Sequence, residues 1–154
     1  MAREIERKFL VDRMPEEIAR VPEEEVAQGY LATGDDEVRV RRRGGAHVLT
    51  VKQGSGLSRA EVEVPLPAAA FEELWPLTEG RRVEKTRRVV GIDGHKVEVD
   101  VYRGPLSGLV TAEVEFDDDH VAGGFSPPSW MSRELTGDRR YSNQRLALDG
   151  LPAD

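Results

Sequence analysis

The chain contains no cysteine, which excludes disulfides, thiolate metal sites and cysteine nucleophiles. Histidine is nearly as scarce. His47, His95 and His120 are the only three, each beside a turn or an acidic run, so a histidine-held zinc centre is not expected. No apolar run approaches the length of a membrane span and the first residues do not read as a signal peptide, so a cytoplasmic protein is expected. Nor is there an excess of base: the net charge is −7. An acidic chain is poorly suited to tracking a nucleic-acid backbone or an anionic membrane, and neither partner is expected. Aromatic residues are few, at 6%, and a base-binding platform would have to come from that small set.

What the chain has in quantity is charge, 33% of its residues, and the charge is ordered. Glu4, Glu6 and Lys8 alternate with Ile5, Arg7 and Phe9, a period of two that puts the first three on one strand face. Arg39, Arg41 and Arg43 alternate in the same way, as do Thr50 with Lys52, Glu61 with Glu63, Lys85 with Arg87, Glu98 with Asp100, and Glu113 with Glu115. A local cluster of arginine and lysine is informative here because it runs against the sign of the whole chain.

Around these strands the punctuation is regular. Gly44-Gly45 and Asp93-Gly94 are hairpin signals. Residues 13–20 and 67–77 read as helices, the second amphipathic with Phe71, Leu74 and Trp75 on its buried side; a short helix follows Asp117-Asp118-Asp119, and Ser142 to Leu148 forms a terminal helix capped by Ser142 and stopped by Gly150. The expected architecture is α+β and mainly antiparallel β: eight hairpin-linked strands closed into a barrel with a few flanking helices. Residues 1–150 read as one domain and 151–154 as a short tail. Charges at this spacing cannot sit unpaired against an apolar core. Either they face water on an ordinary sandwich, or they line a wet, charged interior whose outer apolar faces are covered by helices and loops. The second arrangement is the expectation carried forward.

The motifs, in order, are Glu4-X-Glu6-X-Lys8, Gln28-Gly29-Tyr30-Leu31, Arg39-Val40-Arg41, Leu57-Ser58-Arg59, Glu61-Val62-Glu63, Glu79 to Arg87, Glu113-Val114-Glu115-Phe116 and Arg140-Tyr141-X-Asn143. Together they resemble the CYTH family, the triphosphate tunnel metalloenzymes, and most closely its small bacterial members, some of which hydrolyse inorganic tripolyphosphate. The resemblance implies an eight-stranded antiparallel tunnel that binds a triphosphate with a divalent metal.

The residues agree with that chemistry. A triphosphate needs several cations converging from different strands. Arg39, Arg41, Lys52, Arg59, Lys85 and Arg87 supply them, extended by Lys8 and by Arg139 or Arg140. Carboxylates in an anion site repel the substrate unless a cation lies between, and Mg2+ or Mn2+ resolves the conflict. The resemblance places metal first on Glu4, Glu6 and Glu115; Glu113, Glu61 and Glu63 follow, as further ligands or as groups that orient the bases. The expected reaction is in-line attack of water on a terminal phosphorus, with Glu4 or Glu6 holding the water, and with Lys8 and Lys85 beside them in the catalytic group. Lys85 with Asp100 also reads as a structural ion pair, and Glu98 and Asp100 as cross-strand partners of bases. Trp75 reads as core, Arg42, Glu84 and Arg88 as surface, and Tyr30 is undecided. Tyr102 is the only aromatic at an inward parity, which favours a substrate without a base over the alternatives: an adenylyl cyclase, a nucleoside or thiamine triphosphatase, or a non-catalytic polyphosphate binder.

Overall fold

The fold is that of a computed structural model describing residues 5–54 and 60–153. Nine strands form one sheet: β1 (Ile5–Val11), β2 (Glu24–Ala32), β3 (Glu37–Arg43), β4 (Ala46–Gln53), β5 (Ala60–Pro65), β6 (Arg82–Ile92), β7 (His95–Tyr102), β8 (Val110–Phe116) and β9 (Met131–Glu134). The helices are α1 (Glu16–Ala19), α2 (Ala68–Leu74), α3 (Asp119–Gly124) and α4 (Asn143–Asp149). The strand order is β5-β4-β3-β2-β6-β7-β8-β1-β9, antiparallel throughout.

This corrects the expectation of an eight-stranded closed barrel. The sheet is open, and among the described residues β5 and β9 each have a single neighbour. The physical reason is β9. It pairs with β1 through Phe9 opposite Glu134 and Val11 opposite Met131, so it occupies the edge of β1 that closure would need. Arg7 fixes this arrangement. Its guanidinium donates to Glu134 Oε1 and Oε2 at 2.8 and 2.9 Å, and to the Ala122 and Phe125 carbonyls at 2.8 and 3.1 Å.

Register sorts the side chains by face. Lys8 stands opposite Glu113, Glu113 opposite Glu98, Arg87 opposite Asp100, Gln28 opposite Arg41, Arg39 opposite Thr50, and Lys52 opposite Glu61. Residues directly opposite share a face, so the alternating charges of all these strands lie on one side of the sheet. On the other side Phe9, Val97, Val99, Ala112, Val114 and Phe116 are buried, with Ile18 of α1, Ala122 of α3, Phe125 and Met131 closing over them. Each fully buried valine, isoleucine, phenylalanine or methionine here contributes about 1.5–3 kcal/mol. The charged face thus has an apolar reverse that holds it in place.

Local chemistry sets the joints. Asp93 and Gly94 both take positive φ, 51° and 80°, as a two-residue hairpin turn requires. A Cβ on Gly29 would lie 2.4 Å from Thr78 Oγ1, so only glycine lets β2 meet the turn after α2. Trp75 stacks on Phe71 at 5.3 Å between centroids, under the Arg82 guanidinium at 4.4 Å, a packing role as expected. Ser142 caps α4 by accepting from the Arg145 N–H, and Gly150 ends it at φ 78°. The segment leading into α4 folds back over one end of the charged face. There Leu135, Tyr141 and Leu146 pack with Val83, Tyr102, Leu106 and Leu109 into a second apolar cluster.

Candidate active site

A cavity of about 730 Å³ lies on the charged face, lined by Glu6 and Lys8 of β1, Glu113 of β8, Tyr30 of β2, Glu37 and Arg39 of β3, Lys52 of β4 and residues 135–139 and 141–145. In a flat sheet β4 and β1 would be about 29 Å apart, six strand spacings. That both line one cavity means the open sheet is rolled toward its charged side. Arg43 of β3 reaching Glu98 of β7 at 3.5 Å, over two intervening strands, reports the same curvature.

The predicted residues fall into distinct groups. Glu4 and Arg59 lie outside the described residues. Glu6, Lys8, Arg39, Lys52, Glu113 and Arg139 line the cavity together. Glu6 stands opposite Glu115 and Glu113 opposite Glu98. Like charges in directly opposed positions repel, and at Glu98 that repulsion is relieved by Arg87 at 3.0 Å and Arg43 at 3.5 Å. Glu115 has Lys96 at 3.9 Å, and Lys8 Nζ donates to the Tyr141 carbonyl at 2.6 Å. Glu61 and Glu63 are held on the far edge strand, Glu61 beside Lys52 at 3.6 Å and Glu63 accepting from Thr50 Oγ1 at 3.4 Å. The five predicted metal carboxylates that are described, Glu6, Glu61, Glu63, Glu113 and Glu115, therefore do not all gather in one place. Among the described residues no three carboxylates or imidazoles converge as a metal cage. What the donor set does fit is a hard cation held by one or two carboxylates and completed by phosphate oxygens and water, the usual manner of magnesium.

Lys85 and Arg87 are beneath this surface. Lys85 is fully buried, 2.8 Å from Asp100 Oδ2 and 3.4 Å from Asn143 Oδ1. Arg87 grips Asp100 with two hydrogen bonds, 2.7 and 2.9 Å, and Glu98 with a third at 3.0 Å. Burial opposes every charge here. It pushes the Lys85 ammonium down despite Asp100. It works against the Arg87 guanidinium and the Asp100 carboxylate too, but Asp100, Glu98 and Glu113 prevail in raising Arg87, and Lys85 with Arg87 holds Asp100 well below the usual carboxylate range. The structural ion pair foreseen for Lys85 and Asp100 forms.

Arg39 and Arg41 differ. The Nε of each is buried with no hydrogen-bond partner among the described residues. Burial and the neighbouring Arg39 depress the Arg41 guanidinium, more than Glu63 restores it. Guanidiniums side by side with unused donors have the chemistry to pair with an oxyanion.

Sequence reasoning missed Glu37, 5% exposed and part of the cavity wall. Its parity with Arg39, Arg41 and Arg43 was the available signal. It also missed Asn143, which accepts from the Tyr102 hydroxyl at 2.8 Å as well as from Lys85. Tyr30 turns out to face the cavity but is 0% exposed, its hydroxyl accepting from Gln28 Nε2 at 2.9 Å and its pKa pushed up to about 12, chiefly by burial. Tyr141, also on the wall, is 4% exposed, and Tyr102 2%. None of the three offers a free ring face to a nucleobase.

Residues 2–122 match the CYTH domain. The chain belongs to the CYTH family. It is 48% identical to an inorganic triphosphatase of Nitrosomonas europaea over 94% of this chain and 97% of that one. A second inorganic triphosphatase, from Acetivibrio thermocellus, is 38% identical over 95% of this chain and 94% of its own length. Among solved structures, that of an inorganic triphosphatase superposes with a TM-score of 0.80 at 42% identity, covering 99% of both chains. No described helix of this CYTH protein is long and apolar enough to cross a membrane.

Proposed function

We propose that this chain is a phosphoanhydride hydrolase that converts inorganic tripolyphosphate to pyrophosphate and phosphate with Mg2+ or Mn2+. The observation that carries the reading is the pair of buried guanidiniums, Arg39 and Arg41, with unused Nε donors, on the same face as Lys8, Lys52 and the carboxylates Glu6 and Glu113. The full-length similarity to two inorganic triphosphatases supports it.

Arg39, Arg41 and Lys52 take the phosphate chain from one wall, and Lys8 and Arg139 from the other. Glu6, Glu113 and Glu115, with Glu4 beyond the described residues, are the carboxylates that would hold the metal, which supplies charge neutralisation on the phosphate oxygens and a lowered pKa for a bound water. Glu6 accepts a hydrogen bond from the attacking water and aims it at the terminal phosphorus. The new P–O bond forms as the bridging P–O bond to pyrophosphate breaks, and the guanidiniums stabilise the negative charge left on pyrophosphate. Lys85 acts from below, holding Asn143 and Asp100 in place.

The test is phosphate release from tripolyphosphate and from ATP, each with Mg2+, with Mn2+ and with chelator. Rapid, chelator-sensitive release from tripolyphosphate and slow release from ATP is the expected result. Cyclic AMP formed from ATP, or release indifferent to chelator, would overturn it.

A further inference from the structure

The buried carboxylate of Glu37 has no place in the chemistry above and sits where a negative charge weakens anion binding. The geometry points to Glu37 as a positioning residue that sets the Arg39 guanidinium toward the phosphate chain, itself aimed by Gln144; this rests on the reading of the site as a tripolyphosphate site.

The connection runs from backbone to arginine. The Gly34 N–H donates to Gln144 Oε1 at 3.1 Å, while Gln144 Nε2 reaches back to the Gly34 carbonyl at 3.4 Å. Gly34 has φ 106°, a conformation open to glycine and strained for other residues. Because a backbone N–H only donates, it fixes which end of the amide is oxygen. The NH2 end is thereby directed at Glu37, whose Oε1 it meets at 2.8 Å. Glu37 Oε2 then faces Arg39 Nη1 at 3.4 Å, an ion pair rather than a hydrogen bond, and that oxygen and Arg39 Nε are both buried without hydrogen-bond partners. Glu37 is thus anchored on one oxygen and uses the other to hold a guanidinium that also meets the Tyr30 hydroxyl and keeps its Nε unused among the described residues. Residues 107 positions apart in sequence meet here, so α4 determines the aim of an arginine on β3. The other cation near Glu37 is Lys52, its partner in register.

Three variants and their combination test this: Glu37→Gln, Gln144→Leu, Arg39→Gln, and Glu37→Gln with Arg39→Gln. Tripolyphosphate affinity by calorimetry, KM and kcat for phosphate release, the apparent Mg2+ requirement and Tm would be measured on the full chain. Loss of a hydrogen bond or pairing to a charged group at Glu37 should raise Kd and KM for tripolyphosphate about tenfold, with kcat changed less than about threefold. Gln144→Leu should give a smaller change of the same kind. If Glu37 acts through Arg39, adding Glu37→Gln to Arg39→Gln should cost no more than about twofold further. Multiplying effects, an unchanged KM in Glu37→Gln, or a shift confined to the Mg2+ requirement (a metal ligand instead) would overturn the proposal. Should Glu37→Gln fail to fold, Gln144→Leu decides: an unaltered tripolyphosphate affinity there counts against it. A wild-type chain that binds tripolyphosphate without releasing phosphate would defeat the hydrolase reading, while the affinity cycle would still judge Glu37.

Discussion

Two halves of the charged face carry the same residue types to different ends. On β6 and β7, Lys85 and Arg87 meet Asp100 and Glu98, and each charge is consumed by a neighbour at 2.7–3.0 Å. On β3, Arg39 and Arg41 each keep a buried Nε that nothing among the described residues uses. Sequence alternation alone cannot tell these apart. The difference is whether the facing strand supplies carboxylates: β7 brings Asp100 opposite Arg87, whereas β4 brings Thr50 and Val48 opposite Arg39 and Arg41. Cations whose donors are consumed hold the sheet together; those that keep unused donors can serve an anion.

The sharpest way to break the comparison is to treat the two halves alike. Arg41→Gln should lower kcat/KM for tripolyphosphate by roughly a hundredfold, as loss of a charge-assisted phosphate contact in a dry site does, with Tm nearly unchanged; steady-state kinetics beside a thermal melt would show it. Asp100→Asn should do the reverse in kind. It leaves Lys85 buried without its carboxylate and Arg87 with Glu98 alone, a loss of about 3–5 kcal/mol of stability, lowering Tm by roughly 10 °C.

A pH series sharpens the same point. Asp100 is held below its unfolded value by Lys85 and Arg87 against the opposing effect of burial. A carboxylate so depressed contributes its full stability above its unfolded pKa, about 4, and loses it as the pH falls from there toward the folded value. Urea melts from pH 7 to pH 2 should therefore show wild type losing stability below about pH 4, and Asp100→Asn a flatter profile over that window. The smallest effect belongs to the rim. Glu61 is exposed and 3.6 Å from Lys52, so Glu61→Gln should change stability by less than about 1 kcal/mol, readable as a Tm within about 3 °C of wild type.

Much of this was legible in the chain. Period two gave the strands and put Lys8, Arg39, Lys52, Glu6 and Glu113 on one face, because register between antiparallel neighbours preserves parity. Closure was not legible. Met131–Glu134 is four residues long with only Met131 buried, too short to show alternation, yet its pairing to β1 decides that the sheet stays open. Glu37 was hidden by its neighbours: it precedes the arginines and reads as the end of an acidic turn after Asp35 and Asp36. Its role depends on Gln144, a contact across 107 positions that no local pattern encodes. Lys85 could not be divided between catalysis and structure from sequence, since its burial comes from the segment 135–147 folding over it.

The clasp of β9 on β1 also governs fidelity. With β8 bonded on one flank and β9 on the other, the strand bearing Glu6 and Lys8 has no open side along which to slide. A one-step slip would exchange both charges with Ile5, Arg7 and Phe9, driving an acid and a base into oil and unseating Arg7 from Glu134. The short ninth strand thus works as a ratchet, admitting a single alignment of the acids with the groove they serve.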